Sequence, residues 1–187
     1  MLEKMIVLFL FSVFLIGAIS PRIAQKLKRI ETVGCIGIDK RLFALGKLSL
    51  FTSFALILVQ LFVVNLSLFG RDDIYLWFCI GLVGVGVAFF VTAIIKLGTF
   101  SLRVGLAKER TMLHTTGVYR ISRNPMLVGL FLIALGSAVY VHNPVNWLLI
   151  IIALAVHHKI ILTEEKFMAT RFGEEWIQYG KKVRRYL

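Results

Sequence analysis

The chain has 187 residues, 58% of them hydrophobic and 17% charged, with a formal net charge of +12 and a mean hydropathy of +0.84. A soluble domain of this size would not carry so much apolar surface, so that class is excluded. The two cysteines, Cys35 and Cys79, have no metal-type spacing and no disulfide framework around them.

Five apolar runs follow one another: Leu2–Ser20, Leu48–Phe69, Ile74–Lys96, Pro125–Val141 and Val145–Leu162. Four or five of them are long enough to cross about 30 Å of hydrocarbon at roughly 1.5 Å per residue. The first resembles a secretory signal, with Lys4, an apolar stretch and Ala18-Ile19-Ser20. Pro21 would sit just after the cut, which disfavours cleavage, so the run reads as a retained helix. The expected fold is all-α: a polytopic membrane helical bundle of about five transmembrane helices. It forms a single domain over residues 1–187. Three N-terminal spans occupy 1–96; a long connector, a helical hairpin and a C-terminal cytoplasmic amphipathic helix occupy 97–187.

Charge gives an orientation. Basic residues crowd the connector Pro21–Lys47, the connector Leu97–Asn124 and the segment after Leu162, whereas Gly70–Asp73 has one arginine and His142–Asn146 has no lysine or arginine. The positive-inside rule then puts the N-terminus outside and the C-terminus in the cytoplasm, in the cell membrane if the source is prokaryotic. The net charge fits loops lying against anionic lipid rather than a nucleic-acid partner. In "RIAQKLKRI", Ile23, Leu27 and Ile30 share a helical face; the stretch reads equally as an interfacial helix or as a solvated linker.

The 28-residue connector Leu97–Asn124 is hydrophobic enough to be ordered, and loops of that length are usually functional or disordered. The fourth and fifth runs, joined by "HNPVN", form a tight hairpin that brings Arg123-Asn124-Pro125 near the inner end of the fifth. That end carries His157, His158, Glu164 and Glu165, with His158 and Glu165 seven apart on one face. Acidic residues at a membrane boundary need partners, and Arg120 and Arg123 are the nearest candidates. A structural salt bridge accounts for this pairing as well as a binding site does. Gly173 reads as a helix stop, with Glu174 and Glu175 in the first turn of a last helix. Trp176, Tyr179 and Val183 form an apolar stripe on that helix, which lies on the membrane surface or over the site as a lid. Gly81, Gly84 and Gly86 read as packing glycines. Ser122 has no neighbours that would make it a nucleophile. No metal site is expected, since neither HExxH nor a Cys/His cluster is present.

The blocks "LHTTGVYRISRNPMLVG" and "TEEKFMATRFGEEWIQYGKKVRR" resemble, in order and spacing, the C-terminal half of the isoprenylcysteine carboxyl methyltransferase and phospholipid methyltransferase superfamily. The resemblance covers Thr111 to Arg185, about 40% of the chain. It implies an integral membrane enzyme that uses S-adenosylmethionine to methylate a lipophilic acceptor at the cytoplasmic face: a lipid, an isoprenoid, or a prenylated thiol or carboxylate. It implies cofactor contacts from Thr111, Met112, Leu113, His114, Tyr119, Asn124, Pro125, Met126, Leu127 and Glu164. Arg123, the motif arginine, falls near the reacting end, and Glu165 or His158 is the candidate base for an amine or alcohol acceptor. Two positions depart from the pattern. Leu127 stands where a tyrosine is common, and Ile160 stands where prenylcysteine enzymes carry an arginine for the substrate carboxylate. The alternatives are an NADPH-dependent membrane reductase of the sterol-reductase type, whose cofactor needs extra basic groups for its phosphates, and a non-catalytic membrane protein that kept the fold.

Overall fold

The computed structural model describes residues 2–27, 38–68, 73–101 and 113–187. Cys35, Thr111 and Met112 lie outside the described residues. Six α-helices make up the described chain: α1 Leu2–Leu27, α2 Lys40–Phe62, α3 Asp73–Ser101, α4 Pro125–Val141, α5 Pro144–Phe172 and α6 Glu174–Lys182, with a short 3-10 turn over Gly117–Arg120. Three helical stretches are long and apolar enough to cross a membrane, Lys40–Phe62, Tyr75–Leu97 and Pro144–Phe172, and two shorter apolar helices cover Lys4–Ser20 and Pro125–Val141.

Several boundaries differ from the apolar runs, for local reasons. The first helix continues through Pro21 to Leu27. The second starts at Lys40, eight residues before its apolar run, because the Asp39 carboxylate caps it, accepting from Arg41 N (2.8 Å) and Leu42 N (3.2 Å); such a cap satisfies donors that the first turn leaves orphaned. It ends at Phe62 rather than Phe69. There Gln60 folds back, accepting from Leu66 N and donating to Asn65 Oδ1, and holds the next residues as a turn. The fifth helix runs ten residues beyond Leu162, to the stop at Gly173, where φ is +51°.

The buried core joins α1 to α2 and α3 through Phe14, which lies 5.2 Å from Phe54 and 5.0 Å from Phe90 between ring centroids. Large apolar side chains also face outward, among them Phe9, Phe51, Phe62, Phe78 and Ile151, as helices bathed in lipid require. The closest helix approach is between α3 and α4. A Cβ placed on Gly129 would lie 2.6 Å from Gly86 O, and one on Gly86 would lie 2.8 Å from Gly129 O. Of the three glycines expected to pack, only Gly86 does so; a Cβ on Gly81 or Gly84 meets nothing within 4 Å. At the other end of α4 a buried polar cluster ties three helices together. Ser137 Oγ donates to Ser53 O (3.0 Å), and Asn146 Nδ2 donates to Ser137 O (3.1 Å). α4 packs most extensively on α3 and α5 on α2, while α4 and α5, though joined by two residues, touch each other less.

Candidate functional site

The site lies where the connector enters α4. Pro125 begins that helix and is itself fully buried; its fixed φ suits a first helical position and sets the entry direction. Immediately before it, Ser122, Arg123 and Asn124 are stapled to the chain beyond α6. Arg123 N donates to Arg184 O (2.9 Å), while Ser122 Oγ (3.2 Å) and Asn124 Nδ2 (3.1 Å) both donate to Arg185 O. Ser122 Oγ also accepts from Asn124 N (3.1 Å). Ser122 is thus a fully buried structural hydroxyl.

Arg123 and Glu165 meet as the hairpin geometry suggested. Arg123 Nη2 lies 3.3 Å from Glu165 Oε1, and Arg185 reaches the other oxygen with Nη2 at 2.7 Å and Nε at 2.9 Å. One carboxylate, only 12% exposed, is therefore clamped between two guanidiniums. The hydrogen bond to Glu165 holds the Arg185 guanidinium still more firmly protonated than usual. The Arg123 guanidinium also lies over the Trp176 ring, 5.5 Å from its centroid, within cation–π range. It is pressed against α6 so closely that a Cβ on Gly180 would come 2.6 Å from Nη1. Arg120, by contrast, is exposed at the end of the 3-10 turn.

The contacts continue from α6 into the connector. Trp176 packs against Tyr179 (5.7 Å), Tyr179 Oη donates to Tyr119 O (2.6 Å), and the Tyr119 ring lies 6.1 Å from His114. Burial pushes the Tyr179 phenol up to about 12 and raises that of Tyr119 further. In the other direction, His158 Nδ1 and Tyr186 Oη are hydrogen-bonded at 2.7 Å. One connected path thus runs His114, Tyr119, Tyr179, Trp176, Arg123, Glu165, Arg185, Tyr186, His158. Along it, three buried polar atoms have no hydrogen-bond partner among the described residues: His114 Nε2, Arg123 Nε and Glu165 Oε1. Glu165 Oε1 has only the ionic contact to Arg123.

The other residues singled out from the sequence fall around this path. Asn124 is tied to Arg185 O, Pro125 and Leu127 are buried, and Leu113 and Met126 are partly buried. Glu164 is half-buried and, one residue from Glu165, points about 100° away around the helix. Within the stripe on the last helix, Trp176 and Tyr179 are buried against the site, while Val183 follows the helix end. Tyr186 had no signal in the sequence, and Arg185 only that of a basic residue closing the second block; "VRRYL" has no period, and only the fold brings it to the hairpin.

The chain belongs to the phospholipid methyltransferase family, whose model matches residues 74–175, more than half of the 187 residues. It is similar to the protein-S-isoprenylcysteine O-methyltransferase of Schizosaccharomyces pombe, 32% identical over 114 residues, which are 59% of this chain and 48% of that one. It is also similar to the protein of the same name from Saccharomyces cerevisiae, 36% identical over 87 residues, 46% of this chain and 36% of that one. An uncharacterized protein of Haemophilus influenzae is 36% identical over 63 residues, a third of this chain and the whole of that one. The chain therefore spans less than half the length of the two methyltransferases. No solved structure matches it.

Proposed function

We propose that the protein transfers a methyl group from S-adenosylmethionine to a lipophilic acceptor at the cytoplasmic face of its membrane. The observation that carries this reading is the pair of buried polar atoms without a hydrogen-bond partner, His114 Nε2 and Arg123 Nε, in a chain of a methyltransferase family. A buried polar atom without a partner costs about 1–3 kcal/mol, and two on one path suit a polar ligand. The donor supplies an electrophilic methyl group on a sulfonium. His114 Nε2 and the Tyr119 ring suit its base, Arg123 Nε its carboxylate and Glu164 its ammonium. Leu113, Asn124, Pro125, Met126 and Leu127 shape the wall, and Thr111 and Met112 extend it. Glu165, with an arginine on each oxygen, is the clamp that closes the site. His158 is then the base for an acceptor that must lose a proton. Positioning and exclusion of water supply most of the catalysis. With Ile160 where prenylcysteine enzymes carry an arginine, the acceptor need not be a prenylcysteine.

In this reading all five apolar helices cross the membrane in a single domain. The 17 residues of α4 span about 25 Å, near the thickness of the hydrocarbon. The N-terminus lies outside, and the connector before α4, α6 and the segment after it lie in the cytoplasm. A cysteine placed at His114 is expected to label from the cytoplasmic side and one at Asn143 from outside. The test of function is incubation of the purified protein with a lipid extract and radioactive S-adenosylmethionine. Label in a lipophilic product is expected, and Glu164→Gln should weaken donor binding about ten- to hundredfold, the worth of a charged hydrogen bond. The absence of both donor binding by calorimetry and any labelled product would overturn the reading.

A further inference from the structure

The inner end of the hairpin carries a second pair of groups that donor binding does not use. Because α4 leans on α3 and α5 on α2, the segment after α6 fills the space between them. Tyr186 sits there between Phe131 of α4 (5.9 Å) and His158 of α5 (6.0 Å), in addition to its hydrogen bond to His158. Its place is set by its neighbours: Arg184 and Arg185 are held through both carbonyls, and Arg185 also by its guanidinium. Glu165 and His158 lie about 10 Å apart along α5, and the successive residues Arg185 and Tyr186 meet them in turn. Two layers result: an ionic one of Arg123, Glu165 and Arg185, and beneath it a ring layer of His158, Tyr186 and Phe131. Arg185 and Tyr186 both lie beyond residues 74–175, the segment that matches the family.

We infer that Tyr186 is a positioning residue for His158, and that His158, so held, takes the proton from an acceptor whose nucleophile carries one, an ammonium or a hydroxyl on a lipid. The inference rests on the methyl-transfer reading and deepens it, since a carboxylate acceptor has no proton to shed and no use for the pair. An imidazole that takes up a proton at Nε2 carries N–H on both nitrogens. Only the tautomer in which Nδ1–H donates to Tyr186 Oη passes through that step without rearranging. Burial raises the Tyr186 phenol, so it acts as a protonated dipole throughout the neutral range. The acceptor's proton moves to Nε2, and the freed lone pair forms the bond to the methyl carbon. The carbon–sulfur bond breaks with its electrons left on sulfur, giving a neutral thioether, and the imidazolium then returns its proton to water. The charged and titratable groups around His158 are Arg185 and Tyr186 from the tail, Glu164 and Glu165 further along α5, and Arg123 beyond Glu165. Lys47 of α2 faces the adjacent His157. The α4 sequence has no acid, lysine, arginine or histidine.

The test uses the full chain in vesicles of a total lipid extract with radioactive S-adenosylmethionine, and treats the product with mild base. Methyl esters lose their label there, whereas N-methyl and ether products keep it. The expected result is base-stable label, a kcat reduced about tenfold in Tyr186→Phe and about a hundredfold in His158→Gln, as for loss of a general base. The acid limb of the pH–kcat profile should move in Tyr186→Phe and vanish in His158→Gln. Donor affinity, measured on the same variants, should stay at the wild-type value. Base-labile label, or variants with the wild-type kcat and pH profile, would overturn the inference while leaving methyl transfer intact. If the wild type neither binds the donor nor labels any lipid, the methyl-transfer reading falls and the inference with it.

Discussion

The clamp on Glu165 gives the sharpest quantitative test of the site. Glu165→Gln keeps the shape of the side chain and removes the charge. The amide then turns a donor toward one guanidinium and leaves one acceptor for the other. Three contacts are affected, at 3.3, 2.7 and 2.9 Å. Removing one partner of a fully buried ion pair costs about 3–5 kcal/mol. Glu165 is 12% exposed but Arg185 is 35% exposed and can turn toward water, so the expected cost is reduced to about 2–3 kcal/mol. For a chain of this size that lowers the thermal midpoint by roughly 5–10 °C. Cys79, 1% exposed, provides the assay. In a Cys35→Ser background it should react with a thiol dye only as the bundle opens, so the midpoint can be read in detergent. Arg185→Gln should give much of the same shift, and the double variant little more than either alone, because the two side chains share one interaction. A Glu165→Gln midpoint within a degree of wild type would refute the clamp.

Gly129→Ala should destabilise by more than about 3 kcal/mol, beyond ordinary overpacking, because its Cβ would meet backbone atoms Gly86 O at 2.6 Å and Phe90 N at 2.7 Å; Gly84→Ala should be neutral or slightly stabilising in the same thermal assay. Stability should fall as pH rises from about 10, where an unfolded tyrosine ionises, toward about 12, where folded Tyr179 does, since the folded state holds the proton more tightly and its contribution is complete only below the lower value. Tyr179→Phe should flatten that alkaline limb of the midpoint-against-pH curve and cost about 1–3 kcal/mol at neutral pH, because Tyr119 O loses its donor. Arg123→Lys should lower methyl transfer about tenfold or more with normal membrane insertion, whereas Arg120→Lys should change turnover less than twofold; silence of both in the lipid-labelling assay would reduce the arginines to membrane anchors.

What could be read from the sequence was whatever repeats or punctuates locally. The apolar runs located the helices, Gly173 marked a stop, and the order of the two motif blocks brought Arg123 opposite the end of α5. Choices of helical phase were not legible. Glu164 and Glu165 are adjacent, and which of them meets Arg123 depends on how α5 is rotated against the connector. Gly81, Gly84 and Gly86 look alike along the chain, but only Gly86 faces α4. Least legible of all was the segment after α6. Its hold on the site is made through the carbonyls of Arg184 and Arg185, which every residue type possesses, so side-chain pattern cannot announce it.

The way the bundle is tied explains how the hairpin presents Arg123 and Glu165 to the segment after α6. A two-residue connection would by itself keep α4 and α5 side by side for their whole length. Their connected ends are indeed held, by Ser53, Ser137 and Asn146. Further in, α4 is drawn to α3 by the contact of Gly86 with Gly129, where backbone meets backbone, while α5 follows α2. Such close approach favours association through packing and leaves no room for slippage. The end that carries Arg123 and Glu165 is bridged instead by the segment after α6, through Arg184 and Arg185. Gly129 thus serves the site from four residues beyond Pro125, by fixing the line along which Arg123 enters. The serine–asparagine cluster at the connected ends serves it from about 30 Å away, 19 residues along α5 from Asn146 to Glu165, by fixing the register in which Glu165 arrives.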